Sequence, residues 1–142
     1  MGVSLSYPSR WQSHEQVFSS MVPGGATHVR LVAAPSSQLG PVGGVEIWEY
    51  SSERTYLAEE NLGGQHQYGS LSDYLATSKK VGTATVAGSV LEGYYSDGEN
   101  FHSVCFYTQS TTRFYVLCAD GAGSISGITP PQRLVLQKAS LY

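Results

Sequence analysis

The chain of 142 residues is 41% hydrophobic and 13% charged, and its formal net charge is -3. A chain of this length fits one packed core, so we predict a single domain over residues 1–142. The longest basic run is Lys79-Lys80, which predicts no surface for nucleic acid or anionic membrane. No stretch approaches the ~18 consecutive apolar residues of a bilayer span, so we also predict no transmembrane segment.

The N-terminal half has the alternating pattern of β-strands. Residues 3–7 alternate with period two until Pro8, and residues 11–18 form a second, weaker strand pattern, so we expect a first hairpin here. A further strand is predicted over residues 27–33. In residues 45–50, apolar side chains occupy both faces, which predicts a central strand that is covered on both sides.

The middle of the chain combines a polar segment with a short helix. Residues 51–69 are polar and contain a Gly-Gly pair, which is the composition of an irregular surface loop. Ser70 followed by Asp73 predicts a helix start, and Gly82 its end. After it, residues 83–95 predict a long strand with a bulge at Gly88, and Asp97-Gly98 predicts a type I′ hairpin turn.

The two cysteines lie in the last predicted hairpin. If Thr111 and Thr112 form its loop, Ser110 faces Arg113, and the same register places Cys105 opposite Cys118. Directly opposed strand residues approach closely enough for a disulfide. The alternative is a pair of small buried thiols. A disulfide would indicate an oxidising compartment and a targeting segment that has been removed.

The C-terminal segment predicts a helix. Thr129, Pro130 and Gln132 have the spacing of a capping box with proline at the first helical position, so we expect a helix from Pro130 to about Leu141. Its apolar stripe is predicted to pack on the sheet beside the first helix. Strands, a helix, a meander and a second helix together predict the α+β class, with an antiparallel β-sheet flanked by helices.

Three short motifs cover much of this pattern: Val3-Ser-Leu-Ser-Tyr-Pro-Ser-Arg-Trp11, Gly69-Ser-Leu-Ser-Asp-Tyr-Leu75 and Arg113-Phe-Tyr-Val-Leu-Cys-Ala119. They resemble the opening strand and Pro-x-x-Trp turn, the mid-chain helix start and the last strand of the PsbP family. That family and its relatives share the Mog1/PsbP-like fold and include small bacterial envelope lipoproteins. The resemblance implies an antiparallel sheet sandwiched between helices.

The same resemblance implies a non-enzymatic accessory or assembly protein at an extracytoplasmic membrane face. It would act by protein–protein interaction on a partner such as a membrane complex, in a secreted, periplasmic or thylakoid-lumen location, and a role related to photosynthesis is one form of this. A cytoplasmic location is the alternative. Neither a flexible extension nor a lipid-anchor cysteine precedes Val3, so photosystem binding does not follow from the resemblance.

Two other function classes remain open from the residues. Exposed aromatic side chains are typical of a small-ligand or carbohydrate-binding module, and Tyr94, Tyr95, Trp48 and Tyr50 are the candidate contact residues for a ligand or a partner. Either Tyr94 or Tyr95 must point outward, because neighbouring strand residues face opposite sides. The last class is an uncharacterised hydrolase.

The sequence contains no recognised catalytic or cofactor motif, and we predict no catalytic residues and no cofactor. A hydrolase would need a serine or an acid within reach of His66 or His102. The histidines lack the spacing of known zinc sites. Glu59, Glu60 and His66 could still form a weak divalent-metal site if the polar loop brought them together.

Overall fold

A computed structural model describes residues 2–18, 26–32, 43–62, 67–98 and 101–142. Within these ranges the protein has three helices, α1 to α3, and nine strands, β1 to β9. In chain order they are β1 (Val3–Ser4), β2 (Gln12–Phe18), β3 (Ala26–Val32), β4 (Val45–Tyr50), α1 (Glu53–Asn61), α2 (Leu71–Ala76), β5 (Lys80–Val86), β6 (Ser89–Asp97), β7 (His102–Gln109), β8 (Phe114–Asp120), α3 (Pro130–Lys138) and β9 (Ser140–Leu141).

Seven of the strands form one antiparallel sheet in the order β2-β3-β4-β8-β7-β6-β5. The sheet and the helices confirm the predicted α+β class. The predicted first hairpin is wrong, because β2 pairs with β3 while Val3 of β1 lies opposite Leu141 of β9. Alternation identifies a strand but not its partner, and here the two ends of the chain meet.

Helices cover both faces of the sheet. Helix α3 packs with Ile47, Leu117 and other side chains on one face, and we call this side the aliphatic face. Helices α1 and α2 pack with Tyr50 and Val116 on the other side, which we call the aromatic face. The prediction that β4 is covered on both sides is confirmed. The expected packing of the last helix beside the first predicted helix, α2, is wrong, because the sheet separates them.

The segment predicted as an irregular loop over residues 51–69 contains α1, so this prediction is wrong. Ser52 caps the helix by accepting a hydrogen bond from the Thr55 backbone N–H at 3.1 Å. Only Thr55, Tyr56 and Leu57 are buried in α1. A helix with so few apolar positions has a polar composition overall, which hides it from composition-based prediction.

The predicted long strand over residues 83–95 is two strands joined by a tight turn. Ala87 and Gly88 have φ values of 51° and 80°, and Val86 pairs with Ser89, which is the pattern of a two-residue type I′ hairpin. The bulge predicted at Gly88 is therefore wrong, and the register shift lies between Lys80 and Gly82.

The hairpin predicted after Tyr95 exists, but its turn does not lie at Asp97-Gly98. Asp97 still pairs with His102, and the Gly98 backbone N–H donates to the Phe101 carbonyl at 3.0 Å. Residues 99 and 100 lie outside the described residues. An Asp-Gly pair indicates that a turn is near, but it does not determine how many residues of the two strands pair before the turn.

The capping box of α3 is confirmed, with Thr129 and Gln132 bonded in both directions. The helix ends at Lys138 rather than near Leu141, because the chain then pairs as β9. The buried amide of Gln132 also donates to the carbonyls of Gly44 at 2.7 Å and Asp120 at 2.9 Å. This side chain fastens the start of α3 to the ends of β4 and β8.

Candidate functional site

The register predicted for the cysteine hairpin is confirmed. The Ser110 N–H donates to the Arg113 carbonyl at 2.9 Å, and Cys105 lies directly opposite Cys118. The two sulfur atoms are bonded as a disulfide, and the two Cα atoms are 4.1 Å apart. A disulfide favours an oxidising, extracytoplasmic compartment. Among the described residues, no helix has both the length and the apolar character to cross a membrane.

The four predicted contact residues separate onto the two faces of the sheet. Trp48 and Tyr50 of β4 lie on the aromatic face, and Tyr50 is only 8% exposed. Tyr94 also lies there, with its ring 5.8 Å from that of Tyr107. Tyr95 points to the opposite face, where it stacks on the His102 ring at 5.8 Å. Its hydroxyl donates to Asp97 at 2.9 Å.

Tyrosines from four elements form a connected cluster on the aromatic face. The Tyr56 ring of α1 lies 5.1 Å from that of Tyr50, and 5.8 Å from the rings of both Tyr74 and Tyr107. These rings are mostly edge to face, the geometry that aromatic pairs prefer. Beside the cluster is a cavity of about 290 Å³, which we call the aromatic cavity. Its lining residues are Trp48, Tyr50, Tyr56, Glu60, Tyr74, Ser96, Cys105, Tyr107, Val116 and Cys118.

Glu60 is the only charged residue among these lining residues. It belongs to α1 and is exposed as a whole residue, while its carboxylate accepts hydrogen bonds from the hydroxyls of Tyr56 and Tyr74. Burial of the carboxylate raises its pKa, and the hydrogen bonds from the two hydroxyls oppose that rise only in part. The aromatic cavity therefore has one carboxylate in its lining, which both solvent and the two hydroxyls reach.

The tyrosine hydroxyls of the cavity are held in their neutral form. Burial, followed by neighbouring groups that include the Glu60 charge, raises the pKa values of Tyr50, Tyr56, Tyr74 and Tyr107. At neutral pH these hydroxyls act as hydrogen-bond donors and acceptors and not as nucleophiles. The cavity therefore suits binding of a ligand better than covalent chemistry.

Helix spacing explains how the sequence builds this site. Tyr56 and Glu60 are four residues apart in α1, so they lie on the same helix face. Ser70 caps α2 by accepting from the Asp73 N–H at 3.1 Å, and the helix then brings Tyr74 to the cluster. Sequence analysis missed Tyr56 and Tyr74 as site residues. The four-residue spacing of Tyr56 and Glu60 was the available signal, but assignment of a loop there concealed it.

The suggested metal site near Glu59, Glu60 and His66 is only partly described. His66 lies outside the described residues, and Glu59 and Glu60 are consecutive in α1, so their side chains point about 100° apart. Glu60 faces the tyrosines. No group of three metal-ligating side chains occurs within the described ranges.

A second concave surface lies on the opposite side of the protein, between residues 6–11 and α3. Two adjoining cavities of about 250 and 660 Å³ share Pro8 and Pro131, and together we call them the α3 groove. Its apolar side chains include Tyr7 and Leu134, which are 41% and 51% exposed. The remaining lining residues are Ser6, Ser9, Arg10, Trp11, Gly43, Thr129, Val135 and Lys138.

The segment that forms one wall of the α3 groove is anchored at its start. The Gly2 N–H donates to the Glu49 carboxylate at 2.6 Å, and the Gly2 carbonyl accepts from the Tyr115 hydroxyl at 2.8 Å. The same carbonyl accepts from the Tyr142 N–H at 2.7 Å. Burial and the neighbouring Glu49 charge raise the pKa of Tyr115 to about 12. These contacts fasten the chain just before β1.

A scan against models of known protein families finds no match to this chain, and a search of curated proteins finds no match either. The two concave surfaces and the disulfide are the features of the protein that bear on its function.

Proposed function

We propose that this protein is a non-enzymatic accessory or assembly protein at an extracytoplasmic membrane face, and that it acts by binding a partner protein through the α3 groove. The observation that carries the proposal is the exposed apolar lining of this groove. Tyr7 and Leu134 are large side chains left open to solvent beside Pro8 and Pro131. Exposed apolar side chains that line one concave surface can receive an apolar side chain of a partner.

The energetics favour a partner that fills the groove with an apolar side chain. Full burial of a leucine-sized side chain contributes about 1.5–3 kcal/mol, and Leu134 is half exposed in the free protein. A tyrosine at the rim adds contact area at a low cost in side-chain entropy. Tyr7 and Leu134 are therefore the expected anchor residues of the interface.

Charge narrows the class of partner. Arg10 and Lys138 line the two cavities of the groove, and no acidic residue is among the described lining residues of either. Complementary charges guide encounter and fix the orientation of bound proteins. The expected partner segment carries an apolar anchor with carboxylates on either side.

The compartment and the family resemblance agree with this role. The disulfide favours a secreted, periplasmic or thylakoid-lumen location, where the partner would be a complex at the membrane face. The motif at residues 3–11 that resembles the PsbP family contributes Tyr7, Pro8 and Trp11 to the groove. Membership of a PsbP-like family, and a link to photosynthesis, are parts of the same proposal.

Site-specific photo-crosslinking in the source cells tests the proposal. A photoreactive phenylalanine derivative placed at position 134 should form an adduct with a subunit of a membrane complex, identified by mass spectrometry. Position 62 is the matched control, because Leu62 is exposed to a similar extent, 49%, at the end of α1. Position 95 tests the sequence-based prediction that Tyr95 contacts the partner.

Two lysine variants test whether the positive charge of the groove contributes to partner binding. Lys138→Glu should reduce the adduct formed at position 134, whereas Lys79→Glu, beside α2, should leave it unchanged. Adducts at position 62 or 95 with none at 134 would place the interface elsewhere. Absence of an adduct at all three positions would contradict the accessory role.

A small-ligand-binding role is the second candidate function, and the aromatic cavity is the observation that favours it. Its volume is near the lower end of the ~300–1,000 Å³ typical of ligand pockets. Such binding is compatible with the accessory role, because the aromatic cavity and the α3 groove lie on opposite faces of the sheet.

A further inference from the structure

The aromatic cavity contains an arrangement that core packing alone does not require. Five of its ten described lining residues are aromatic, and one, Glu60, carries a carboxylate. Glu60 is an exposed residue, and its carboxylate also accepts hydrogen bonds from the hydroxyls of Tyr56 and Tyr74. A negative charge held beside aromatic rings is an arrangement that suits a cationic ligand.

We propose that the aromatic cavity binds a small organic cation of the quaternary ammonium class, with Glu60 as its counter-ion and the surrounding aromatic rings as its walls. This goes beyond the accessory role, deepens the small-ligand alternative and does not depend on the α3 groove.

Ring orientation supports the proposal. The planes of Tyr50 and Tyr56 are inclined by 73°, those of Tyr56 and Tyr74 by 88°, and those of Tyr74 and Tyr107 by 69°. The rings come from β4, α1, α2 and β7, so they border the cavity from different elements and in different orientations. The face of an aromatic ring carries partial negative charge and attracts a cation that lies within about 6 Å of the ring centre.

The charge of the cavity also favours a cationic ligand. None of its described lining residues is Lys, Arg or His. The Glu60 charge is felt at the hydroxyls of Tyr50, Tyr56, Tyr74 and Tyr107, so a negative potential extends across the cavity. A ligand that brings positive charge would pair with the Glu60 carboxylate.

Hydration and size distinguish among cations. A primary ammonium is strongly hydrated and loses much of that hydration on entering an apolar cavity. A quaternary ammonium presents methyl groups, which pack against aromatic rings while the charge is retained. Metal ions prefer several oxygen ligands, and only one carboxylate is available among the lining residues.

Calorimetric titration with choline and with 3,3-dimethylbutan-1-ol, its uncharged carbon analogue, tests the proposal. The two molecules have nearly the same shape, so the difference in affinity measures the charge. We expect choline to bind at least about tenfold more tightly than the alcohol, corresponding to one buried cation–π contact or more. Equal affinities would show an unspecific apolar pocket and overturn the proposal, as would no choline binding at millimolar concentrations.

Two neighbouring variants locate the site. Glu60→Gln keeps the size of the side chain and removes its charge, and it should weaken choline binding by about tenfold or more. Glu59→Gln removes a charge from the adjacent residue, which is not among the lining residues although its charge acts on Tyr50 and Glu60, and it should weaken binding less than Glu60→Gln does. Equal effects of the two variants would place the cation elsewhere. Far-ultraviolet circular dichroism confirms that each variant is folded, and the crosslinking result at position 134 is independent of both.

Discussion

The two faces of the sheet are built in different ways. The aliphatic face packs against α3, where Val135 and Leu136 are almost fully buried beside Ile47 and Leu117. The aromatic face packs against α1 and α2, and α2 has six residues, none of them buried. Each face has its own core cluster, and the aromatic cavity lies on the aromatic face whereas the α3 groove lies on the aliphatic side. One sheet can therefore carry a core and a different candidate binding surface on each side.

The largest expected loss of stability comes from truncating a buried side chain on the aliphatic face. Leu117→Ala removes a side chain that is 0% exposed and should lower the free energy of unfolding by about 3 kcal/mol, since leucine-to-alanine changes in cores cost roughly 2–5 kcal/mol. Urea denaturation measures the change. Leu134→Ala in α3 is the control and should cost under about 0.5 kcal/mol, because Leu134 is half exposed. Similar losses for the two variants would contradict the assignment of the core.

The disulfide on the aromatic face has the next largest effect. Replacing both Cys105 and Cys118 by Ala should cost about 2–3 kcal/mol, the value expected for a bridge that closes a short loop. Denaturation of the oxidised protein and of the double variant measures this. The intact mass should also rise by ~2 Da on reduction, as two hydrogens are added. Equal masses before and after reduction would show that the bond is absent.

The β5–β6 hairpin allows the two faces to be compared within a single pair of strands. Val86 is 0% exposed on the aliphatic face, whereas Val90 is 71% exposed. Val86→Ala should cost about 1–2 kcal/mol through lost burial and packing, and Val90→Ala under about 0.5 kcal/mol. Thermal unfolding of the two variants shows which substitution destabilises the protein more. A larger loss for Val90→Ala would mean that something in the free protein covers this side of the hairpin.

The smallest expected effect is the pH dependence that Glu60 contributes. Its pKa is raised by folding, so between the unfolded and folded values the folded protein binds more protons. Glu60 therefore makes the protein relatively more stable as the pH falls through that window and less stable as the pH rises. The difference in unfolding free energy between the wild type and Glu60→Gln should shift in favour of the wild type at lower pH.

Denaturation curves recorded at several pH values for the wild type and Glu60→Gln measure this dependence. A difference for Glu60→Gln that favours the wild type at higher pH would mean that the folded protein stabilises the Glu60 charge, contrary to the burial argument.

Local signals in the sequence were sufficient for several elements. The capping box at Thr129, the helix start at Ser70 and the register that opposes Cys105 to Cys118 were predicted correctly. Each depends on residues that are close in the chain, so short-range hydrogen bonds and turn geometry decide it. The two-sided burial of β4 was also predictable, because apolar groups on both faces of a strand demand cover on both sides.

Other features required the tertiary structure. The pairing of β1 with β9, the split of residues 80–97 into two strands and the helix at α1 were not predicted, because long-range packing selects among local patterns that are compatible with several structures. Of these features, the aromatic cavity depends most strongly on long-range packing. Its rings come from β4, α1, α2 and β7, and only the folding of both helices onto one face of the sheet brings them around Glu60.

The sequence by itself determined the α+β class, the caps and the cysteine register, since these follow from neighbouring residues and from hydrophobic pattern. Only the tertiary structure decided which face each helix covers. The placement of the helices separates the aliphatic core from the aromatic cavity. It depends on packing between side chains that are far apart in the sequence, and no local pattern specifies such contacts.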